Sequence, residues 1–574
     1  MKAMRRISLR VALLAIPGLF ITMLPAVAEG QIPQQAVQDT AAKRQTLPPL
    51  ALPDIVILGR DSATVREGSK LFTTAKRTAL DREISPLLGN KVESQTGWGG
   101  GRTFAAQENV DPARRARAYL RGGTFTELLG GGEYWTDLKN WRLIAEAGGA
   151  GTRGHRPNSS SLEGFGRVAM IRGLGTNSEF RFRTGLATGR QDEWGTAIPA
   201  TVLQGAPTDA ARTWIDGTYE VEIESLIRRG LTFRAGAGGR HTELQDEVRE
   251  PPIINKPGSN GGWADIGLEW VTGRSIFSIG GRAEADGVKG VIPARNVSLV
   301  SGELSMQSLV GEGRNLHLGA VFYRLDDGLS MSTRIWPRVS FSSQYSDRFG
   351  MYVRYHPSID YLTLGEARIT NPFVANSFTI SPRQERFNLA VGLHYTVAAR
   401  IVFGFQVARR LFERLPVWRR VDLVNESNSR GLFMLDSIDS PGLNETRMSI
   451  EGEPRDRLYF SSEIVLRDPT GGGIEELPHI PRFEFSGSVN AVGPWNIDLG
   501  AKVTWLGERY GDTAGTASRR LAPATDLGLR VAKNLGDPFT IWLELRNVLD
   551  REIMIWEGYP MAGRTTAFGI SLRF

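Results

Sequence analysis

The 574-residue chain contains no cysteine. That removes disulfides, thiolate zinc sites and thiol catalysis together, and it suits a chain that crosses an oxidising periplasm without stray cross-links. Histidine is scarce too: His155, His241, His317, His356, His394 and His479 are the six present, and none has a partner at metal-ligand spacing. Beyond the N-terminal segment there is no apolar run of 18 or more residues, so a membrane helix is excluded and any crossing has to be made by strands. A surplus of one charge sign is also missing once the first residues are set aside. Lys2, Arg5, Arg6 and Arg10 supply four of the positive charges, and without them the formal net charge falls from +7 to +3. The basic balance is therefore no argument for nucleic acid.

Those four cations open a recognisable leader. "MKAMRRISLR" is followed by the apolar "VALLAIPGLFITML" and then by Ala26, Val27 and Ala28, the small residues a signal peptidase needs. The run is short for a bilayer and broken by Pro17 and Gly18. Residues 1–28 read as a secretory signal peptide.

What the rest of the chain has is alternation. In "NIDLGAKVTW" Ile497, Leu499, Ala501, Val503 and Trp505 point one way, and Asn496, Asp498, Gly500, Lys502 and Thr504 the other. "TDLGLRV" and "FTIWLELRN" do the same, with Leu529 and Leu543 on the apolar side and Asp526, Arg530, Glu544 and Arg546 on the charged one. A soluble sandwich with one wet face would alternate similarly, but here the polar face carries charges of both signs and a secretory leader precedes it. Segments of about ten residues recur between Gly, Asp, Asn and Pro clusters, as a transmembrane barrel requires. Marking starts from Tyr119 to Thr565, among them Tyr134, Gly166, Leu432 and Thr446, predicts an all-β antiparallel barrel of about 22 strands. It occupies residues 116–574, and residues 29–115 form a short N-terminal extension, periplasmic or lumenal. Tyr134, Trp135, Trp141, Trp263, Trp270, Trp495, Trp505 and Tyr510 fall near strand ends, where interfacial girdles sit.

The C-terminal stretch carries several short motifs in order. Gly507, Arg509 and Tyr510 form a Gly-x-Arg-Tyr element. Asn547, Leu549 and Asp550 close a strand, Gly558, Tyr559, Pro560, Gly563 and Arg564 follow, and the chain finishes on an alternating strand ending in Phe574. This order resembles the last four strands of TonB-dependent receptors, which are outer-membrane transport barrels. The resemblance implies an assembly signal for the barrel-assembly machinery at Gly569, Leu572 and Phe574, with Ala567 departing from its usual polar residue. It also implies a plug domain ahead of the barrel, yet residues 29–115 are too few for one and lack its motifs. "LPDIVILGRD", residues 52–61, is similar to the TonB box, with Asp54, Ile55, Val56, Ile57, Leu58 and Gly59 suited to adding as a strand to TonB or another periplasmic protein.

Sites of chemistry are few. Gly149 to Gly154 spell a literal G-x-G-x-x-G, but "HRPNSSS" follows rather than a helix, which makes it a hairpin loop and not a phosphate cradle. No serine, histidine and acid are grouped as an enzyme would need, and no cofactor or metal site is expected. The charges Arg482, Glu484, Asp498, Lys502, Asp526, Arg530, Glu544 and Arg546 are expected to line the lumen. They read either as cross-pairs that stiffen a wide wet barrel or as a surface on which a plug, strap or solute docks. The sequence thus predicts an outer-membrane transport barrel in contact with lipid, its lumen closed by residues 62–115 or by a partner. The alternative is a non-conducting scaffold that docks a periplasmic or surface protein.

Overall fold

The computed structural model describes residues 116–574 except for 139–140, 156–158, 176, 194–209, 249–252, 290–294, 312, 376–377, 399, 421–432, 456, 472–475, 512–519, 537 and 558. The signal peptide, the extension 29–115 and the segment Asp54–Gly59 lie outside the described residues.

One antiparallel sheet of 25 strands closes on itself. Three of its members, Ile253–Asn255, Ser358–Tyr361 and Phe433–Asp439, are short loop strands, leaving 22 staves. In chain order these are β1 (Ala116–Gly123), β2 (Glu127–Leu138), β3 (Trp141–Thr152), β4 (Ser161–Gly173), β5 (Ser178–Glu193), β6 (Ala210–Arg228), β7 (Leu231–Val248), β8 (Gly258–Thr272), β9 (Ser275–Lys289), β10 (Arg295–Leu309) and β11 (Arg314–Asp326). There follow β12 (Met331–Ser346), β13 (Phe349–Tyr355), β14 (Pro382–Ala398), β15 (Ile401–Arg420), β16 (Pro441–Arg455), β17 (Leu458–Gly471), β18 (Phe483–Val492), β19 (Ile497–Leu506), β20 (Ala524–Gly536), β21 (Phe539–Arg546) and β22 (Thr565–Arg573). The ring is sealed where β22 pairs with β1, from Arg117 opposite Arg573 to Gly123 opposite Ala567. Ala116 and Phe574 then exchange backbone hydrogen bonds of 3.2 and 2.9 Å beyond the last pair.

The predicted count is right, but two of its members change places. β3 fell in the gap between the starts at Tyr134 and Gly166, because Gly148, Gly149 and Gly151 leave its second half with no large apolar side chains to alternate. Gly149 to Thr152 of the G-x-G-x-x-G stretch belong to this strand, and Arg153 and Gly154, the latter at φ +76°, lie beyond it. The start at Leu432 marks the loop strand Phe433–Asp439, which pairs with the far end of β15 and is no stave. Its alternation is real, but Phe433 and Leu435 face a buried loop core instead of lipid.

At one end of the ring the connections are tight turns, such as 229–230, 273–274 and 347–348, and both termini of the barrel lie there. Gly230 adopts φ +81° in the first, where a Cβ would also stand 2.7 Å from the Val271 carbonyl oxygen. The other end carries the long connections 356–381, 421–440, 507–523 and 547–564. Short periplasmic turns and long outer loops are the outer-membrane pattern, so the long-loop end is the extracellular mouth.

The outward face is the apolar one. Leu120, Leu186, Ile266, Ile279, Leu304, Ile335, Leu499, Leu529, Leu543 and Phe568 are all large, apolar and exposed, as lipid contact requires. The aromatic residues divide. Tyr134, Trp270, Trp495 and Trp505 are exposed on or near this face. Trp135 and Trp263 have the opposite parity and point into the barrel, Trp263 lying against Gly236 and Gly238 and under the Arg282 guanidinium at 4.8 Å. Leu543→Arg puts a cation on the lipid side of β21 and should cost roughly 2–4 kcal/mol near the bilayer midplane. A urea titration of the protein in lipid vesicles checks this; an unchanged midpoint would mean that the face is misassigned.

Candidate functional site

The inward face of β14 to β18 carries a run of charges whose sign alternates from strand to strand through Glu385, Arg410, Glu445, Arg467 and Glu484. Arg410 on β15 donates to Glu385 on β14 at 2.5 and 3.1 Å. Arg467 on β17 bridges Glu445 on β16 at 3.3 Å and Glu484 on β18 at 2.9 Å. Arg447 ties Glu445 to Glu463, at 3.3 and 3.0 Å. Of the residues read from sequence as lumenal, Glu484 belongs to this run. Glu544 joins a second group, 2.5 Å from Arg546 and 3.8 Å from Arg121. Arg530 lies 5.4 Å from the Trp542 ring, and Asp526 accepts the Asn547 backbone N–H at 3.1 Å. Asp498 and Lys502 take the same inward parity on β19, opposite Ala532 and Gly528. Arg482 precedes β18 and pairs with Glu476 in the loop at 2.6 Å. The contacts of Arg410 and Arg467 are cross-strand and largely buried, which supports the stiffening role over a free docking surface for that run.

The more distinctive feature is at the mouth, and the segment at its centre was not singled out from sequence. The connection 356–381 between β13 and β14 does not extend into solvent. It forms the strand Ser358–Tyr361 and a helix, α1 (Leu364–Thr370), started by a capping box. The Thr363 hydroxyl accepts the Glu366 N–H at 3.2 Å, and the Glu366 carboxylate accepts the Thr363 N–H at 2.9 Å. Leu364 and Ala367 on α1 are fully buried, as are Val374, Ala375 and Phe378 after it. They pack on inward residues of the wall: Trp214 of β6, Leu244 of β7, Val288 of β9, Val297 and Leu299 of β10, and Tyr323 and Leu325 of β11.

Two arginines lock this segment to the wall. Arg212 on β6 grips Asp246 on β7 with two bonds of 2.6 and 2.7 Å, and its Nη1 also donates to the carbonyls of Pro372 and Val374, at 3.1 and 2.8 Å. Arg368 of α1 donates to Asp216 at 3.0 Å and lies 3.6 Å over the Trp214 ring. Tyr361 adds a hydroxyl bond of 2.8 Å to Asp286, which Arg240 also holds at 3.0 Å.

Other loops meet this segment from around the ring. Ala375 and Phe433 form a backbone bridge, with Ala375 N–H to Phe433 O at 2.6 Å and Phe433 N–H to Phe373 O at 2.8 Å. Phe373 stacks on Tyr559 at 3.6 Å, and Trp556 packs against Phe433, Trp418 and His479. The His479 N–H donates to Tyr510 O at 2.8 Å, and the His155 ring contacts Pro560 O at 3.1 Å. Loops after β3, β13, β15, β17, β19 and β21 are thereby knitted into one lid. It reaches from the β6 wall to β17, which stands half the ring away.

The C-terminal motifs belong to this lid. Asn547 takes φ +45° and Asp550 φ +52° at the end of β21. The Asn547 amide donates to the carbonyls of Arg551 at 2.7 Å and Ala562 at 3.2 Å, while Asp550 accepts the Arg564 N–H at 2.8 Å. A side chain at Gly563 would press on Asp550. The motif is thus a clamp that folds the loop carrying Trp556 and Tyr559 over the mouth.

No family model and no curated protein matches the sequence. Solved structures do match in fold. The copper transporter OprC superposes with a TM-score of 0.64 at 11% identity, covering 80% of this chain and 81% of that one. The FrpB iron transporter of Neisseria meningitidis gives 0.63 at 10%, covering 81% and 82%. A ferric enterobactin receptor of Pseudomonas aeruginosa gives 0.61 at 12%, covering 80% of each. The chain therefore has the fold of the TonB-dependent receptors, as its C-terminal motifs imply, and is an outer-membrane β-barrel.

Proposed function

We propose that the protein moves a solute across the outer membrane through this barrel, with passage gated at the extracellular mouth, and that it is not an enzyme. The observation that carries this reading is the knitted lid on a ring of 22 staves. A barrel of that size has a lumen too wide to leave open, and natural examples keep it plugged. Closure by loops bound to the wall through a few arginines suits opening on demand. Its neighbours in fold, described as copper and iron transporters and a ferric enterobactin receptor, support transport without naming the solute carried here. The segment Asp54–Gly59 is proposed to add as a strand to TonB or to another periplasmic protein, and residues 62–115 to close the lumen from below. Assembly through the barrel-assembly machinery follows from the same reading of Gly569, Leu572 and Phe574.

The closed mouth also favours the scaffold reading, in which the barrel conducts nothing and only docks a partner. Planar-bilayer recordings of the intact chain and of a chain lacking residues 29–115 separate the two. Transport predicts larger or more frequent openings after the deletion, and a barrel silent in both forms, with and without lid substitutions, would leave the scaffold.

A further inference from the structure

Two buried nitrogen groups in the lid have nothing to bond, and a buried imidazole stands beside them. Arg509, in the loop after β19, is 1% exposed; its Nη2 donates to the Met554 carbonyl at 2.7 Å, but its Nε has no acceptor. Among the described residues no carboxylate ion-pairs with it. Glu484, whose charge it feels, is held by Arg467 at 2.9 Å. Trp556, two residues beyond Met554 and 3% exposed, has an unpaired Nε1–H. The His479 ring centres 5.1 Å from the Trp556 ring and is buried with only the Ile555 backbone to bond. Burial and the Arg509 charge together pull the His479 imidazole down to about 3, so it is neutral. Burial pulls Arg509 down to about 10, which still leaves it a cation at neutral pH.

A buried cation without a counter-charge, beside a further unsatisfied donor, is costly, and here the two come from different loops. We propose that they form a binding site for an anionic oxyacid group, a carboxylate or a phosphate. The anion would accept from Arg509 Nε–H and Trp556 Nε1–H, with the neutral His479 ring packed beside Trp556. Such a ligand joins the loops after β19 and β21 in one set of bonds, so its arrival or departure acts directly on the lid. The inference rests on the transport reading only for its purpose. Binding in detergent and conductance in a bilayer are separate measurements, and either can fail alone.

The test titrates the purified full chain in detergent with citrate and with inorganic phosphate, read by calorimetry. Trp556→Phe keeps the ring packing and removes one donor, His479→Asn keeps a small polar group, and Arg509→Met removes the cation. Saturable binding of at least one probe is expected, weakened roughly tenfold by Trp556→Phe and more by Arg509→Met, a loss of charge-assisted hydrogen bonds. Binding of citrate but not phosphate, or the reverse, selects the source of the oxyacid. Should Arg509→Met not assemble, the other two variants decide. Wild-type protein that binds neither probe, or Trp556→Phe and His479→Asn proteins that bind as tightly as wild type, would overturn the site.

Discussion

Replacing Arg212 and Arg368 together by methionine should convert a quiet barrel into one that conducts. Both arginines join the 356–381 segment to the wall: Arg212 of β6, held by Asp246 of β7, through the carbonyls of Pro372 and Val374, and Arg368 of the segment through Asp216 and the face of Trp214. Methionine preserves much of the apolar stem but leaves Asp246, 5% exposed, without its cation. Breaking one buried pair in this way costs about 3–5 kcal/mol, and the two changes fall on the same short segment. The apolar contacts of Leu364, Val374 and Phe378 are spread over five wall strands, and nothing in them fixes the segment at one height. The lid should therefore loosen while the staves, whose ladders do not pass through it, stay paired. Planar-bilayer current steps and hydrogen exchange of 356–381 are the paired readouts. Arg409→Met, which removes an exposed contact to Asn444, is the control and should change neither. If exchange rises across the segment and no current appears, the lumen is closed elsewhere, and residues 62–115 become the place to look.

The staves were legible because a barrel wall is periodic. Asp526, Arg530, Glu544 and Arg546 could be assigned to one face from alternation alone, and the contacts of Glu544 with Arg121 and Arg546 show why charges are tolerated there. The lid was not legible because it is held by tertiary contacts between distant residues. Phe373, Phe433, His479, Trp556 and Tyr559 stand in four separate connections, and only the closed ring brings them together. One signal was available: a connection that is free in water has no use for Leu364, Phe373, Val374, Phe378 and Ile380 within a few turns of chain. The C-terminal motifs show the converse. Asn547, Asp550 and Gly563 were recognisable as a pattern, but that the pattern is a clamp follows only from the two positive φ angles and the bonds of the Asn547 amide.

The second large effect is expected at Gly569. This residue sits in the closing strand β22, opposite Trp542 of β21 on one side and Arg121 of β1 on the other. The Trp542 indole covers it, so that a Cβ at this position would stand well inside contact distance of Cζ2 and Cε2 of the ring. The ring cannot swing away freely, because the guanidinium groups of Arg121 and Arg530 stand 5.7 and 5.4 Å from it. Gly569→Val therefore asks the last strand to enter a space already filled, at a cost of at least about 1–3 kcal/mol for overpacking. The kinetic penalty is larger, since until β22 is seated between β21 and β1 both of those strands present open edges. Folded, heat-modifiable protein should be nearly absent from membranes expressing Gly569→Val. Phe574→Asp should do less in comparison: it removes the exposed aromatic anchor, but the backbone bonds between residues 116 and 574 need no side chain. A second change distinguishes the steric account from a mere loss of strand flexibility. Trp542→Ala empties the space above residue 569, so the double variant Gly569→Val, Trp542→Ala should recover assembly. If the double variant assembles no better than Gly569→Val alone, the glycine is required for its backbone or for recognition during insertion, and the indole is not the obstacle.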